Sequence, residues 1–332
     1  MKKVKAAFFN DIDRDQQIID QVYACGSRQK VADITDLYPE VISSENFEQH
    51  LDNLKDVEVI FSTWGMLPLT EAQIDMLPSL KAVFYGAGSI KGFAEPFLKK
   101  GIKVSTAWKA NATPVSEFCL GQVLLAAKSY HLNLREYHSS SYKGKTDYDK
   151  AFRGPGAYNI KCTLIGAGEI SLQLQELLKP FNIETLIVPS RSERRTVSLK
   201  DAFASSFIVS NHLPDRQDNI NTITGDMLRS MPYGGTFINT GRGAQLNEEE
   251  LIEVMKERPD LSALLDVTEP EPVPVDSELL KLPNVYLTTH IAGSMNNELV
   301  RMADYVIDDF KHWQKGEAME NEVNFEQFLA MA

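Results

Sequence analysis

The chain has 332 residues, enough for two domains rather than one small core. Its 43% hydrophobic and 24% charged residues are ordinary for a globular protein. A formal net charge of −12 argues against nucleic acid or an anionic membrane as partner.

The N-terminus, Met1-Lys-Lys-Val-Lys5, is basic, but the apolar run behind it stops at Phe9 and Asn10-Asp-Ile-Asp13 breaks it. That reads as a first β-strand, not a secretion signal. No stretch approaches the roughly 18 uninterrupted apolar residues of a membrane span. Cys25, Cys119 and Cys162 are odd in number and lack metal-like spacing, which points to reduced thiols in a cytoplasmic protein with no metal site. Val4–Phe9, Val57–Ser62, Ala82–Tyr85 and Lys103–Ser105 read as strands, with helix-like stretches such as Gln16–Cys25 and Thr70–Met76 between them. Such alternation predicts parallel strands with crossover helices. Asn111-Ala-Thr-Pro114 is expected to open a long helix through about Leu134, with Thr113 as N-cap and Pro114 at its first position. His138–Gly156 is polar and reads as a surface loop.

From Ile160 the pattern restarts. Cys162–Ile165 and Thr185–Val188 read as strands around a helix at Ile170–Leu178, followed by strand candidates at Phe207–Ser210, Thr236–Asn239, Leu261–Leu265 and Val285–Leu287. A last helix is expected over Asn297–Gln314. The fold class implied is α/β, with two doubly wound parallel-sheet domains and a cleft between them. One would comprise 1–107 and 294–332, the other 108–293.

Gly166-Ala-Gly168 lies between strand and helix, with Ser171 where a third glycine often stands. The first glycine permits a tight turn and the second lets a pyrophosphate approach the backbone. Glu169 and Ile170 open the helix whose N-terminus would face it. At the end of the next strand, Pro189 occupies the place of the acid that usually binds the ribose of NAD. Ser190, Arg191 and Ser192 suit a 2′-phosphate instead, so the reading leans to NADP over NAD. A solvated loop is the bland alternative, since Arg194 and Arg195 follow.

Arg242, Glu271 and His290 each follow a strand candidate of the same sheet, and the C-terminal ends of parallel strands share one ligand-binding edge. A guanidinium to hold a carboxylate, an imidazole to move a proton and a carboxylate to orient that imidazole are the parts needed to reduce a 2-keto acid. Glu269 competes with Glu271, and spacing does not separate them. Asp266 ends its strand either as a nicotinamide contact or as a turn residue.

The stretches NTGRG, DVTEPEP and LPNVYLTTHIAG, with Leu164–Glu169 and His212-Leu213-Pro214, resemble the D-isomer-specific 2-hydroxyacid dehydrogenase family. The resemblance is close over Ile160–Gly293 and loose before it. It implies that Arg242 anchors substrate, Glu271 pairs with the base and His290 is the acid/base. It further implies a Rossmann cofactor domain, a discontinuous flavodoxin-like substrate domain, and homodimerisation through cofactor-domain helices. Thr240, Gly241, His290 and Gly293 complete the candidate cofactor set. In the family, backbone N–H groups from two first-domain loops bind the substrate carboxylate. Here those loops carry Trp64 and Gly65, and Gly88 and Ser89. Many members read Val-Gly-Val-Asp-Asn where this chain reads Ala87-Gly-Ser-Ile-Lys-Gly-Phe93, so Ser89, Lys91 and Trp64 are candidates to line an unusual pocket, with packing the alternative for Lys91 and Phe93. The chain ends too soon after its last helix for the regulatory domain that some phosphoglycerate dehydrogenases append. Corepressor-like dinucleotide sensors share this fold and trio. Formate dehydrogenase uses a Gln–His pair, which Glu271 argues against.

Overall fold

The computed structural model describes residues 3–11, 17–138 and 153–330. It divides into two compact units, one of residues 1–111 and 294–332 and one of residues 112–293. The expected loop over His138–Gly156 lies mostly outside the described residues.

The first unit holds β1 (Val4–Phe9), β2 (Thr35–Ile42), β3 (Val59–Ser62), β4 (Ala82–Tyr85), β5 (Lys103–Thr106) and β12 (Glu322–Val323), in the order β12-β5-β4-β3-β1-β2. All pairs are parallel except β12, which runs antiparallel along β5. Alternate residues of β1 enter opposite cores, Ala7 and Phe9 on one face and Ala6 and Phe8 on the other. Both faces are covered, which is why these strands read as continuous apolar runs. The helix Leu299–Gln314 covers the second face, where Phe310 stands 5.4 Å from both Phe61 and Phe84. Two strands escape sequence pattern. Thr35–Ile42 is an edge strand carrying Pro39 and burying only Thr35 and Ile42, and Glu322–Val323 has two residues.

The second unit is wholly parallel: β6 (Tyr158–Ile165), β7 (Asn182–Val188), β8 (Ile208–Asn211), β9 (Thr236–Asn239), β10 (Ser262–Leu265) and β11 (Val285–Leu287), in the order β11-β10-β9-β8-β6-β7. Register places Val188, Ile165, Asn211, Asn239, Leu265 and Leu287 in one row across the sheet. The residues one step beyond that row therefore share its C-terminal edge. The order reverses beside β6, so a crevice opens between β6 and β8.

The expected helix start at Thr113 is corrected: the helix spans Trp108–Ala127 with Pro114 inside it. It also stops short of Leu134, because Ser129 turns left-handed at φ 50 before a second helix, Tyr130–His138. Among the described residues no helix is long and apolar enough to cross a membrane.

Candidate active site

The glycine turn leaves β6 at the switch point. Gly166 has φ 101, and a Cβ there would stand 2.5 Å from the carbonyl oxygen of His212, so only glycine fits. Gly168 is the N-cap of the helix Glu169–Leu178 and supplies no side-chain cap. A Cβ on Gly168 would meet nothing within 4 Å. Space above an uncapped helix N-terminus fits the pyrophosphate of a dinucleotide. Ser171 is fully buried, as a stand-in for a packing glycine must be. Glu169 accepts from Gln173 Nε2 at 2.9 Å, and Ile170 is half-buried.

The loop after β7 is more ordered than a solvated stretch. Arg195 folds back, its Nε donating to the Pro189 carbonyl at 2.9 Å and its Nη2 to that of Ser190 at 2.5 Å. Ser190 is half-buried, whereas Arg191 and Ser192 are exposed. Across from them Arg216 grips Asp218 by two hydrogen bonds of 2.8 and 2.5 Å and holds its carboxyl below the usual range, Arg191 adding a smaller pull.

His212 is buried with Nδ1 3.0 Å from the Thr240 hydroxyl, and burial pushes its imidazole down to about 3, leaving it neutral. Leu213 is also buried, in the core of the unit. The side chains of this pair thus serve packing, and it is the His212 carbonyl that abuts the glycine turn.

β9 delivers Thr240, Gly241 and Arg242. Arg242 donates through Nη1 to the Gly241 carbonyl at 2.8 Å and lies 3.5 Å from Asp215, with its side chain 43% exposed. A Cβ on the next residue, Gly243, would overlap the Thr268 backbone, so the Arg242 loop lies directly against the segment leading to Glu271.

β10 and β11 deliver the other two members. Asp266, 3% exposed, accepts from the Thr288 hydroxyl at 2.6 Å and from the N–H groups of Ile291 and Ala292 at 2.8 and 3.0 Å. Its carbonyl accepts the N–H of His290 at 3.1 Å. Both carboxylate oxygens are thus spent on the loop that carries His290 and ends at Gly293. Of the two roles left open for Asp266, this burial favours organising the turn over a nicotinamide contact. His290 takes a left-handed φ of 58 and places Nδ1 2.8 Å from Oε1 of Glu271. Both side chains remain open to solvent, at 48% and 41%. Glu269, the competing carboxylate, instead gives its backbone N–H to Glu248.

In the first unit, Gly65 has φ 92 and its carbonyl accepts the N–H of Asp11 at 2.6 Å, beside a half-buried Trp64. The Gly88 carbonyl accepts the Thr106 hydroxyl at 2.7 Å, and Ser89 is exposed. Lys91 is exposed, with Nζ 4.6 Å over the Phe328 ring, and Phe93 is buried against Tyr85. In the second unit, sequence reasoning missed the amides of Asn211, Asn239 and Gln245, which bond the Arg242 and Leu213 loops; Asn211 and Asn239 show only as a polar residue at the end of an apolar run, and Gln245 carries no such signal.

Residues 122–292, just over half of the chain, match the model of the D-isomer specific 2-hydroxyacid dehydrogenase NAD binding domain. The chain is 26% identical over 290 residues to a glyoxylate reductase of Korarchaeum cryptofilum, covering 83% of this chain and 85% of that one. It is 28% identical over 295 residues to a D-3-phosphoglycerate dehydrogenase of Methanocaldococcus jannaschii, covering 86% of this chain but only 55% of that longer one. Among solved structures, a probable 2-hydroxyacid dehydrogenase from Rhizobium etli in complex with NADP, HEPES and L(+)-tartaric acid superposes with a TM-score of 0.71 at 19% identity, over 98% of this chain and 99% of that one. At that identity the likeness speaks for the fold alone. By its matched NAD-binding domain, the chain belongs to the D-isomer-specific 2-hydroxyacid dehydrogenase family.

Proposed function

We propose that this family member reduces small 2-keto acids to D-2-hydroxy acids with NADPH or NADH, using His290 as acid/base, Glu271 as its partner and Arg242 as the substrate anchor. One observation carries the reading: the 2.8 Å contact between Glu271 and His290, on loops leaving the same sheet edge as the glycine turn.

When bound, the dinucleotide supplies the hydride that the carbonyl carbon receives. The half-exposed Arg242 pairs with the substrate carboxylate and draws charge onto the keto oxygen. With Nδ1 committed to Glu271, His290 presents Nε2 to that oxygen. Protonated His290 then delivers its proton as the carbonyl π pair moves onto oxygen, leaving a hydroxy acid and a neutral imidazole whose Nδ1–H still bonds Glu271. In the oxidising direction neutral His290 removes the hydroxyl proton. Gly166, Gly168 and the N–H groups at Glu169 and Ile170 would hold the pyrophosphate. Ser190, Arg191 and Ser192 favour a 2′-phosphate over a bare ribose diol.

The test is turnover of glyoxylate, hydroxypyruvate, pyruvate and branched keto acids with each reduced dinucleotide. His290→Ala is expected to lower kcat at least ~100-fold, the scale of a lost general acid, with dinucleotide binding retained. Retained turnover would remove His290 from the mechanism. Dinucleotide binding with no turnover on any keto acid would favour a corepressor-like sensor instead.

A further inference from the structure

Three buried amides underlie the Arg242 loop. Asn211 and Asn239 end neighbouring strands at paired positions, Gln245 lies three residues after Arg242, and none is more than 2% exposed. Every polar side-chain atom of the three is used. Asn211 Nδ2 donates to Asn239 Oδ1 at 2.9 Å and to Gln245 Oε1 at 2.8 Å, while its Oδ1 accepts the N–H of Leu213 at 3.2 Å. Asn239 Oδ1 also accepts the N–H of Gly241 at 3.1 Å, and its Nδ2 donates to the Arg242 carbonyl at 3.3 Å. Gln245 divides its amide between the two loops. Its Nε2 donates to the carbonyls of Leu213 and Pro214, both at 2.9 Å, and its Oε1 accepts the N–H of Arg242 at 3.1 Å. A position buried this deeply is filled more cheaply by an apolar side chain, unless the hydrogen bonds themselves are what the site needs.

We propose that Gln245 is a positioning residue that locks the Leu213–Pro214 loop and the Arg242 loop into one arrangement, so that dinucleotide at the first and keto acid at the second each favour the other. This rests on the function proposed above. The two ends of the amide give the idea its structure: oxygen serves Arg242 and Asn211, nitrogen serves the Leu213–Pro214 loop. The loop that carries His290 hangs on the Asp266 carboxylate, outside this amide network, and Glu271 bonds His290 itself, so Gln245 governs binding and spares the proton transfer.

The experiment compares Gln245→Met and Gln245→Glu with the wild type in the full chain. Dinucleotide Kd is read from quenching of protein fluorescence by NADPH and NADH, and KM and kcat from reduction of glyoxylate and hydroxypyruvate. Methionine removes every hydrogen bond of the amide. It is expected to raise both Kd and KM about tenfold, with kcat within about threefold of wild type. Glutamate keeps the acceptors but not the donors, and is expected to raise Kd about as much with a smaller rise in KM. Kd and KM both within about twofold of wild type in a folded variant overturns the proposal, as does a kcat that falls in step with them. Failure of both variants to fold, followed by circular dichroism, overturns it too, since Gln245 would then serve folding alone. If the wild type binds dinucleotide but reduces no keto acid, the proposed function fails, and the Kd comparison still judges the coupling of the two loops.

Discussion

Glycines 168 and 243 answer to different constraints. A methyl group on Gly168 has open space around it, and φ −92 suits any residue there. On Gly243 the same methyl group collides with the Thr268 backbone, which cannot swing aside as a flexible side chain would. Gly168→Ala is therefore expected to change stability by no more than about 0.5 kcal/mol while weakening dinucleotide binding at least about tenfold, because the methyl group stands where the pyrophosphate approaches. Gly243→Ala is expected to cost roughly 1–3 kcal/mol, the range for overpacking. Chemical unfolding and a dinucleotide titration on both variants check this, and an unimpaired Gly168→Ala would take the turn out of the site. The positions of Arg242, Glu271 and His290 past strands of one sheet were legible in the sequence, because a short apolar run precedes each of their loops. Asn211, Asn239 and Gln245 were not, since the partners of an amide depend on which strands are neighbours, and β8 and β9 meet only in the folded sheet.

Among the elements, the central strands were legible because both faces are buried and the residues show it. β2 and β12 were not, because β2 breaks its apolar residues with Asp36, Pro39 and Glu40 and β12 has only two residues. The helix beginning at Trp108 misled for another reason. Thr113-Pro114 is a good opening signal, yet the surrounding core continues the helix on both sides of it. The loop after β7 owes its shape to Arg195, whose two bonds to the Pro189 and Ser190 carbonyls hold the stretch that carries Arg191. Arg191 itself is exposed, and the proposed function has it meet the 2′-phosphate. Arg191→Ala should weaken NADPH about tenfold or more while leaving NADH nearly unchanged, measured as Kd for each. Equal losses would refute selection of the 2′-phosphate by this side chain.

At the scale of the molecule, each unit has its own cores. Those of the second unit are drawn from Val115 to Ala292, while a core of the first joins Ala6 and Phe8 to Met302 and Phe310 near the other end of the chain. The restart of strand–helix alternation at Ile160 made two sheets legible, because each must build its own covered core. Leu125, Leu134 and Leu172 stand 40%, 38% and 48% exposed on the helices Trp108–Ala127, Tyr130–His138 and Glu169–Leu178 of the second unit, with Tyr130 and Tyr137 also exposed. We propose that a second copy of the chain covers them. Light scattering is expected to give twice the 37.2 kDa chain mass, and Leu134→Glu with Leu172→Glu should halve it; a wild-type monomer would end the idea. The three side chains proposed for proton transfer and carboxylate anchoring all belong to residues 112–293, and the loops bearing Trp64 and Ser89 all belong to residues 1–111. On that proposal chemistry and taste are carried by separate stretches of polypeptide, and drift confined to residues 1–111 would alter a descendant's diet while the reaction passes down intact.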